Sequence, residues 1–367
     1  MENFIVSARK YRPDTFHSVV GQASITSTLK NAIQNRQLAH AYLFCGPRGV
    51  GKTTCARIFA KAINCQNLTG DMEPCNTCDS CKAFNTNRSY NIHELDAASN
   101  NSVDDIRNLT DQVRVPPQMG KYSVYIIDEV HMLSSGAFNA FLKTLEEPPA
   151  HALFILATTE KRKIIPTILS RCQIFDFNRI RNVDIADHLA YVAAQEGITF
   201  EQEGLNVIAL KADGAMRDAL SIFDQIVSFS GKNITYKNVI DNLNVLDYDY
   251  YFKLVDLFLK QDVTGALLLF NEVLNNGFDG QHFLIGLNSH LRDLLVAKDV
   301  ATIQLLETSG EIKGKYSSQA AACEAEFLFD GLKIGTECDL QYKNTQNKRL
   351  LVELALIRIS QLTLKKK

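Results

Sequence analysis

A glycine-rich segment that ends in lysine and threonine carries the clearest chemistry in the sequence. It fits the pattern G-x-x-x-x-G-K-[ST], in which backbone N–H groups converge on the phosphates of one ligand. Lys52 is expected to reach the β- and γ-phosphates, and the hydroxyl of Thr53 is expected to bind Mg²⁺. We therefore predict a site for a nucleoside triphosphate. Its binding residues would be Gly46, Pro47, Arg48, Gly49, Val50, Gly51, Lys52, Thr53 and Thr54.

Two adjacent acids, Asp128 and Glu129, follow an apolar run at residues 124–127. In P-loop ATPases an aspartate at this place holds Mg²⁺. A glutamate directly after it can orient and deprotonate the attacking water. The alternatives are a strand end with surface acids and a P-loop kinase that transfers the phosphoryl group to a second substrate. The two acids after the glycine-rich loop favour hydrolysis, with Lys52, Asp128 and Glu129 as catalytic residues and with Thr53 and Asp128 as ligands of Mg²⁺.

Four of the nine cysteines lie close together, with the spacing C-x9-C-x2-C-x2-C. The C-x2-C step lets two thiolates face one ion, and four thiolates form a closed tetrahedral site of the structural type. An iron–sulfur cluster uses similar spacing, and free thiols are the third interpretation. We predict a structural Zn²⁺ site formed by Cys65, Cys75, Cys78 and Cys81.

Five short apolar runs are expected to form the strands that position these residues. They occupy residues 41–45, 90–95, 122–127, 152–157 and 173–177. Helical patterns separate them, and this alternation indicates buried parallel strands in βα units. After about residue 180 the strand signals end and leucines recur at helical spacing. The predicted fold class is an α/β P-loop core, a parallel sheet flanked by helices, followed by all-α regions.

The composition sets broad limits on function. The chain has 367 residues, of which 46% are hydrophobic, and a formal net charge of -2. This length favours two or three domains, and the hydrophobic fraction excludes an intrinsically disordered chain. The near-zero charge argues against binding of nucleic acid by bulk positive charge. No targeting segment or membrane-spanning run is apparent, so we expect a cytoplasmic protein without a membrane partner.

Several further motifs accompany the loop and the paired acids. They are DEVHML at 128–133, KTLEEPP at 143–149, LATT at 156–159, SRC at 170–172 and GAMRDALS at 214–221, with ARKYRP at 8–13 and VGQ at 20–22. Together they resemble the clamp-loader branch of AAA+ ATPases, and within it the gamma/tau family of bacterial DNA polymerase III. The resemblance is dense over residues 8–225.

The resemblance implies an organisation in three domains. An AAA+ nucleotide-binding domain would occupy residues 1–180, with a zinc module at 64–85. A three-helix lid would follow at 181–243, and a helical oligomerisation collar at 244–367. A monomeric helical bundle is the alternative for the last region.

The resemblance also implies roles for three residues. Thr159 matches the sensor-1 position, whose hydroxyl can hold the attacking water or the γ-phosphate. Arg217 matches sensor 2, which reaches the bound nucleotide from the lid. Arg171 matches the arginine that such subunits insert in trans into the ATP site of a neighbour. A finger of this kind raises turnover by about 10³-fold or more.

The implied function is that of an ATPase motor subunit, which converts ATP and water to ADP and phosphate. It would open a sliding clamp and load it on primed DNA during replication, with ATP, Mg²⁺ and structural Zn²⁺. The implied partners are delta- and delta-prime-type subunits in a hetero-pentameric ring, the sliding clamp and primer–template DNA. A helix that begins after residues 99–102 would face the DNA phosphates, and a capped surface helix is the alternative for this segment. The alternative is a structural AAA+ scaffold that binds nucleotide with little turnover.

Overall fold

The structure is a computed structural model that describes residues 5–86, 88–117, 120–243, 246–306 and 310–362. The strands are β1 (Ala41–Cys45), β2 (Ile92–Asp96), β3 (Ser123–Asp128), β4 (Ala152–Thr158), β5 (Gln173–Asp176), β6 (Thr199–Phe200) and β7 (Asn233–Ile234). The helices are α1 (Ser7–Lys10), α2 (Ala23–Gln34), α3 (Lys52–Ile63), α4 (Asp79–Asn85), α5 (Val103–Val113), α6 (Ser135–Glu146), α7 (Pro166–Leu169), α8 (Asn182–Gln195), α9 (Gln202–Lys211), α10 (Met216–Ser230), α11 (Tyr236–Leu243), α12 (Tyr248–Leu259), α13 (Val263–Asn275), α14 (Gly280–Ala297), α15 (Gly310–Ala322), α16 (Ala325–Tyr342) and α17 (Lys348–Ser360).

The five predicted strands form one parallel sheet in the order β2-β3-β4-β1-β5. The sheet and its flanking helices confirm the predicted α/β class. The order changes direction at β1, because β1 lies between β4 and β5 while β2 lies at the far edge. In open parallel sheets, ligands bind beyond the carboxyl ends of the strands at such a reversal. The glycine-rich loop follows β1 at this place.

Alternate residues of β1 supply the two faces of the sheet. Tyr42 and Phe44 belong to the core that packs on α2 and α3, whereas Leu43 and Cys45 belong to the core under α5 and α6. All five residues of the strand are buried. Burial on both sides is what a continuous apolar run predicts for a central parallel strand. It holds the start of the glycine-rich loop in a fixed position.

Helix α5 begins with a capping box. The Ser102 hydroxyl accepts a hydrogen bond from the backbone of Asp105, and the Asp105 carboxylate accepts one from the backbone of Ser102. Such a box stabilises a helix start by satisfying N–H groups that have no partner within the helix. Asp104 and Asp105 also place two acids in the first turn. The resemblance implies that the N-terminus of this helix faces the DNA phosphates.

The chain forms two compact units. One contains Met1–Gly197 and Ile208–Gln225, and the other contains Ile198–Val207 and Ile226–Lys367. The core of the second unit lies among α12, α13, α14, α16 and α17, where Leu254, Phe258, Leu287, Leu291 and Leu356 are buried. None of the helices that the structure describes has both the length and the apolar character to cross a membrane.

Residues 181–243 contain four helices, α8 to α11, where the resemblance implied three. Glycines with positive φ lie at the three breaks between them, at positions 197, 214 and 231. Three breaks divide the segment into four helices. The predicted boundary at 243/244 borders residues outside those described, and the division into three domains stays a prediction.

Candidate nucleotide-binding site and cysteine cluster

The glycine-rich loop joins β1 to α3 and owes its shape to its glycines. Gly46, Gly49 and Gly51 have φ angles of 147°, 76° and 104°. A Cβ at Gly46 would clash with the carbonyl oxygen of Phe177, and one at Gly49 would lie 2.9 Å from the Cβ of Ala215. Only glycine combines these backbone angles with such close approach. The pattern of glycines read from the sequence is therefore a geometric requirement of the loop.

Lys52 is the first residue of α3, and its side chain lies inside the loop. Its Nζ donates hydrogen bonds to the carbonyl oxygens of Gly46, at 2.9 Å, and Pro47, at 2.7 Å. Burial lowers the pKa of the ammonium, and the carboxylates of Glu129 and Asp128 act in the opposite direction. The loop thus holds one buried cation next to two acids.

Thr53 and Asp128 meet although 75 residues separate them. The Thr53 hydroxyl donates to Asp128 Oδ2 at 2.6 Å, and Asp128 Oδ1 accepts from the backbone N–H of Glu129 at 2.9 Å. Asp128 ends β3, and Thr53 lies in the first turn of α3. A hydroxyl and a carboxylate at this separation are oxygen ligands of the kind that Mg²⁺ prefers.

Glu129 is held at the end of the neighbouring strand by Thr159. The backbone N–H and the hydroxyl of Thr159 donate to Glu129 Oε2 at 3.3 and 3.0 Å. Nδ1 of His131, whose side chain is largely buried, lies 3.4 Å from the same oxygen and 3.0 Å from the Thr158 hydroxyl. Glu129 itself has φ 48° and ψ 44°, a left-handed conformation that is uncommon for a glutamate. Such conformations cluster at functional sites.

A cavity of about 520 Å³ opens over the loop within the first compact unit. This volume suits a ligand the size of a nucleotide. The predicted residues that line it are Arg48, Gly49, Val50, Gly51, Lys52, Thr53, Thr54, Asp128, Glu129 and Arg217. Gly46, Pro47 and Thr159 are not among the lining residues, but each contacts one that is. The backbone N–H of Arg217 donates to the Gly49 carbonyl at 3.4 Å.

The N-terminal segment also lines the cavity, which the sequence analysis did not predict. Arg9, Tyr11, Arg12, Val19 and Val20 belong to the lining. Nε of Arg12 donates to the Thr54 hydroxyl at 3.3 Å. The only sequence signal was the pair of motifs at 8–13 and 20–22. These motifs contribute to the family resemblance, but no residue in them was assigned to the nucleotide site. No local pattern indicates that a segment 30 residues upstream folds over the loop.

The four clustered cysteines come together as predicted. Their Sγ atoms all lie within 4.8 Å of one another, and the set contains neither histidine nor carboxylate. Tetrahedral zinc with Zn–S distances of about 2.3 Å requires sulfurs about 3.8 Å apart, and that separation lies within the limit of 4.8 Å. Backbone N–H groups of Cys75 and Cys78 donate to Cys65 Sγ and Cys75 Sγ, each at 3.3 Å. The cluster is compatible with zinc.

The thiols of the cluster differ in acidity. Hydrogen bonds, first from the Thr77 side chain, lower the pKa of Cys75 to about 5. Burial raises the pKa of Cys65 and Cys81. A bound divalent ion would stabilise all four as thiolates. All nine cysteines are free of disulfide bonds, and buried ones outside the cluster, such as Cys55, have a pKa raised by burial, as expected of inert thiols.

Known families match most of the first unit. The family described as DNA polymerase III, delta subunit, matches residues 21–181, and the clamp loader subunit ATPase lid domain matches residues 184–232. The DNA polymerase III subunit gamma of Buchnera aphidicola from Acyrthosiphon pisum is 39% identical over 284 residues. These cover 77% of this chain and 78% of that protein. The chain belongs to the DNA polymerase III gamma/tau family.

Members of the gamma/tau family with longer chains match almost all of this one. DNA polymerase III subunit tau of Bacillus subtilis is 42% identical over 353 residues, which cover 96% of this chain and 62% of that protein. Subunit tau of Escherichia coli is 36% identical over 365 residues, which cover 97% of this chain and 55% of that protein. The chain therefore spans little more than half the length of these relatives. The glycine-rich loop, the contact between Thr53 and Asp128 and the cavity are compatible with a nucleotide and Mg²⁺ as ligands.

Arg171, the proposed finger of this gamma/tau chain, lies apart from the cavity. It follows α7, and it is not among the described residues that line the cavity. Its Nη2 lies 2.7 Å from Glu146 Oε1, and its Nη1 donates to the Thr167 carbonyl at 2.7 Å. Both side chains of the ion pair are partly exposed. Sequence reasoning did not predict this pairing with Glu146, because adjacency of 146 and 171 depends on the fold.

Proposed function

We propose that the chain is the ATP-hydrolysing motor subunit of a DNA polymerase III clamp loader. ATP binding and hydrolysis would open the sliding clamp and load it on primed DNA during replication. The observation that carries the proposal is the meeting of Thr53, Asp128, Glu129 and Thr159 beside the cavity, at the carboxyl ends of β3 and β4. Membership of the gamma/tau family supports it.

The cavity offers separate surroundings for the parts of ATP. The triphosphate would lie along the loop, where Lys52 exchanges its carbonyl partners for phosphate oxygens and the N-terminus of α3 adds its dipole. The base would lie against the apolar side chains of Val20, Ile180 and Met216. Mg²⁺ held by Thr53 and Asp128 would neutralise charge on the β- and γ-phosphates.

Glu129 would act as the general base. Its carboxylate would accept a proton from the attacking water, while Thr159 fixes the carboxylate through two hydrogen bonds. Arg217 would contact the nucleotide from its place in the cavity lining, as a sensor. Arg171 would complete the site of a neighbouring subunit, since it lies outside the cavity of its own chain. Full turnover would then require assembly.

Replacing Lys52 with alanine is expected to weaken ATP binding by about 10- to 100-fold, because hydrogen bonds to charged groups contribute about 1.5–3 kcal/mol each. Titration with a fluorescent ATP derivative measures the affinity. The ATPase rate of the reconstituted complex, with clamp and primed DNA, measures the consequence for turnover. Lys163→Ala is the matched control, because Lys163 is exposed and pairs with Glu160.

The same assay separates the motor from a structural AAA+ scaffold. A motor shows turnover that primed DNA stimulates and that Lys52→Ala abolishes. Wild-type complex without stimulation, or a variant with undiminished turnover, would contradict the motor and favour the scaffold. The intact loop and both acids support the motor.

We propose Zn²⁺ as the structural ion of the cysteine cluster. Replacing Cys81 with serine is expected to abolish zinc binding, because Cys81 is fully buried and supplies one of four ligands. The midpoint of thermal unfolding should fall by about 5–10 °C. Atomic emission spectroscopy and calorimetry measure the two effects. Cys338→Ser removes a buried thiol elsewhere and should keep the zinc; equal zinc content in both variants would refute the assignment, as would iron in the wild type.

The proposed partners are delta- and delta-prime-type subunits in a hetero-pentameric ring, the sliding clamp and primer–template DNA. Exposed apolar side chains on the second unit, such as Phe329, Leu340 and Leu354, support a collar at 244–367. The acids in the first turn of α5 and the net charge of -2 support weak DNA binding by one chain alone. A DNA site shared by several subunits agrees with both. A cytoplasmic location stays a prediction.

A further inference from the structure

The segment that carries the four cysteines contacts the N-terminal segment of the chain through one buried acid. Glu73, between Cys65 and Cys75, is 9% exposed. Its Oε2 accepts the backbone N–H of Phe16 at 2.7 Å, and its Oε1 accepts that of His17 at 3.0 Å. The Nζ of Lys30 in α2 lies 2.6 Å from Oε1. One carboxylate therefore fixes two consecutive peptide groups and one ammonium.

A second contact lies next to the first. The side-chain amide of Asn76 donates to Asp14 Oδ2 at 3.1 Å. The amide oxygen of Asn76 accepts from Nζ of Lys61, at 2.6 Å, and Lys61 belongs to α3, the helix after the glycine-rich loop. Lys61 is almost fully buried. The cysteine segment thus contacts both the N-terminal segment and the phosphate-binding helix.

The residues that Glu73 and Asn76 hold lie between two parts of the cavity wall. Positions 14–17 are bound by the cysteine segment, while Arg12 and Pro13 on one side and Val19 and Val20 on the other line the cavity. The chain from Phe16 to Val19 is a closed turn, because Val19 donates its N–H to the Phe16 carbonyl at 3.2 Å. A shift of Phe16 would therefore move Val19.

We propose that Glu73 is a positioning residue through which the cysteine cluster sets the affinity for nucleotide. The ordered cluster holds Glu73, Glu73 holds the backbone of Phe16 and His17, and that backbone places Arg12 and Val19 at the cavity. This inference rests on the proposed nucleotide and zinc sites. It adds an energetic coupling between the two sites, which neither the glycine-rich motif nor the cysteine motif predicts.

The coupling has a physical basis in the burial of Glu73. A charge-assisted hydrogen bond to a buried carboxylate contributes more than a neutral one. If the carboxylate is displaced, the buried N–H of Phe16 loses its partner, and the partly exposed Lys30 and His17 N–H must pair with water instead. The N-terminal segment would then populate positions in which the wall of the cavity is displaced. Nucleotide binding would have to restore the wall, which lowers the apparent affinity.

The test is a cycle of nucleotide affinities in the full chain. Wild type and Glu73→Gln are each titrated with a fluorescent ATP derivative, with zinc bound and after its removal by a chelator. We expect Glu73→Gln to weaken binding by about three- to tenfold. We expect chelation to weaken wild-type binding by a similar factor and to add less than twofold in the variant. Asp71→Asn, an exposed acid two residues away, is the control and should behave as wild type.

Three other results would contradict the coupling or one of its premises. Wild-type affinity in Glu73→Gln, or an equal effect of chelation in both proteins, would overturn the proposal. Loss of zinc from Glu73→Gln would also overturn it, because Glu73 would then serve the metal site and not the N-terminal segment. Circular dichroism at the assay temperature shows that each protein is folded. Lys52→Ala tests the nucleotide site independently of Glu73. If the wild-type chain binds no nucleotide, the proposed function fails, and the coupling fails with it. If the wild type binds and Glu73→Gln binds equally well, only the coupling fails.

Discussion

Replacing Glu129 with glutamine is expected to lower ATP hydrolysis by the assembled complex by about 10²- to 10⁴-fold, while ATP stays bound. The amide keeps an oxygen that can accept from Thr159, so the side chain can retain its position at the end of β4. It cannot accept the proton of the attacking water. The loss should therefore appear in turnover, measured by phosphate release, and not in affinity, measured by titration.

Glu160→Gln is the matched control for this prediction. Glu160 lies 3.4 Å from the other nitrogen of His131, but it pairs with the exposed Lys163. Its substitution should leave turnover within about twofold of the wild type, as for most surface changes. Wild-type turnover in Glu129→Gln, or equal losses in both variants, would show that Glu129 is not the base.

The parts of the site that the sequence predicts are those whose chemistry is local. The loop from Gly46 to Thr53 needs its glycines because of its own backbone angles, and the lysine and threonine follow at fixed positions. Asp128 and Glu129 follow an apolar run. Two acids at the end of a buried strand next to a phosphate-binding loop indicate Mg²⁺ binding and activation of water. The cysteine spacing is likewise a property of one short segment. Each of these motifs can be recognised because its geometry depends on one short segment of the chain.

The parts that the sequence does not predict are contacts between distant segments. Thr159 could be assigned only through the resemblance, and its bond to Glu129 depends on the pairing of β3 with β4. The N-terminal segment reaches the cavity because Glu73 and the surrounding core hold it there. No periodicity in residues 8–20 carries that information. The same is true of Arg171, whose partner Glu146 lies 25 residues earlier.

Replacing Arg171 with alanine is expected to lower the turnover of the assembled complex by about 10³-fold, the effect of losing an arginine finger supplied in trans. Arg171 lies outside the cavity of its own chain, so the affinity of the isolated chain for ATP should not change. Its partly exposed pair with Glu146 contributes at most about 1 kcal/mol, so the fold should persist. Release of the arginine from Glu146 on assembly therefore costs little.

Arg162→Ala is the control, since Arg162 is an exposed arginine in the connection between β4 and α7. Arg171→Lys should recover only part of the activity, because an ammonium lacks the planar, two-pronged donor geometry of the guanidinium. Weakened ATP binding by the isolated Arg171→Ala chain would instead assign this residue to its own site. Equal turnover in the wild type and Arg171→Ala would exclude a catalytic role.

A mixing experiment tests the direction of this contact. Complexes of Lys52→Ala chains alone cannot bind ATP well, and complexes of Arg171→Ala chains alone lack the finger. If the finger acts in trans, a mixed complex contains interfaces where a Lys52→Ala chain offers its intact Arg171 to the competent site of an Arg171→Ala neighbour. Turnover should then rise above that of either parent complex. If Arg171 acted within its own chain, every site in the mixture would carry a defect and no activity would be recovered.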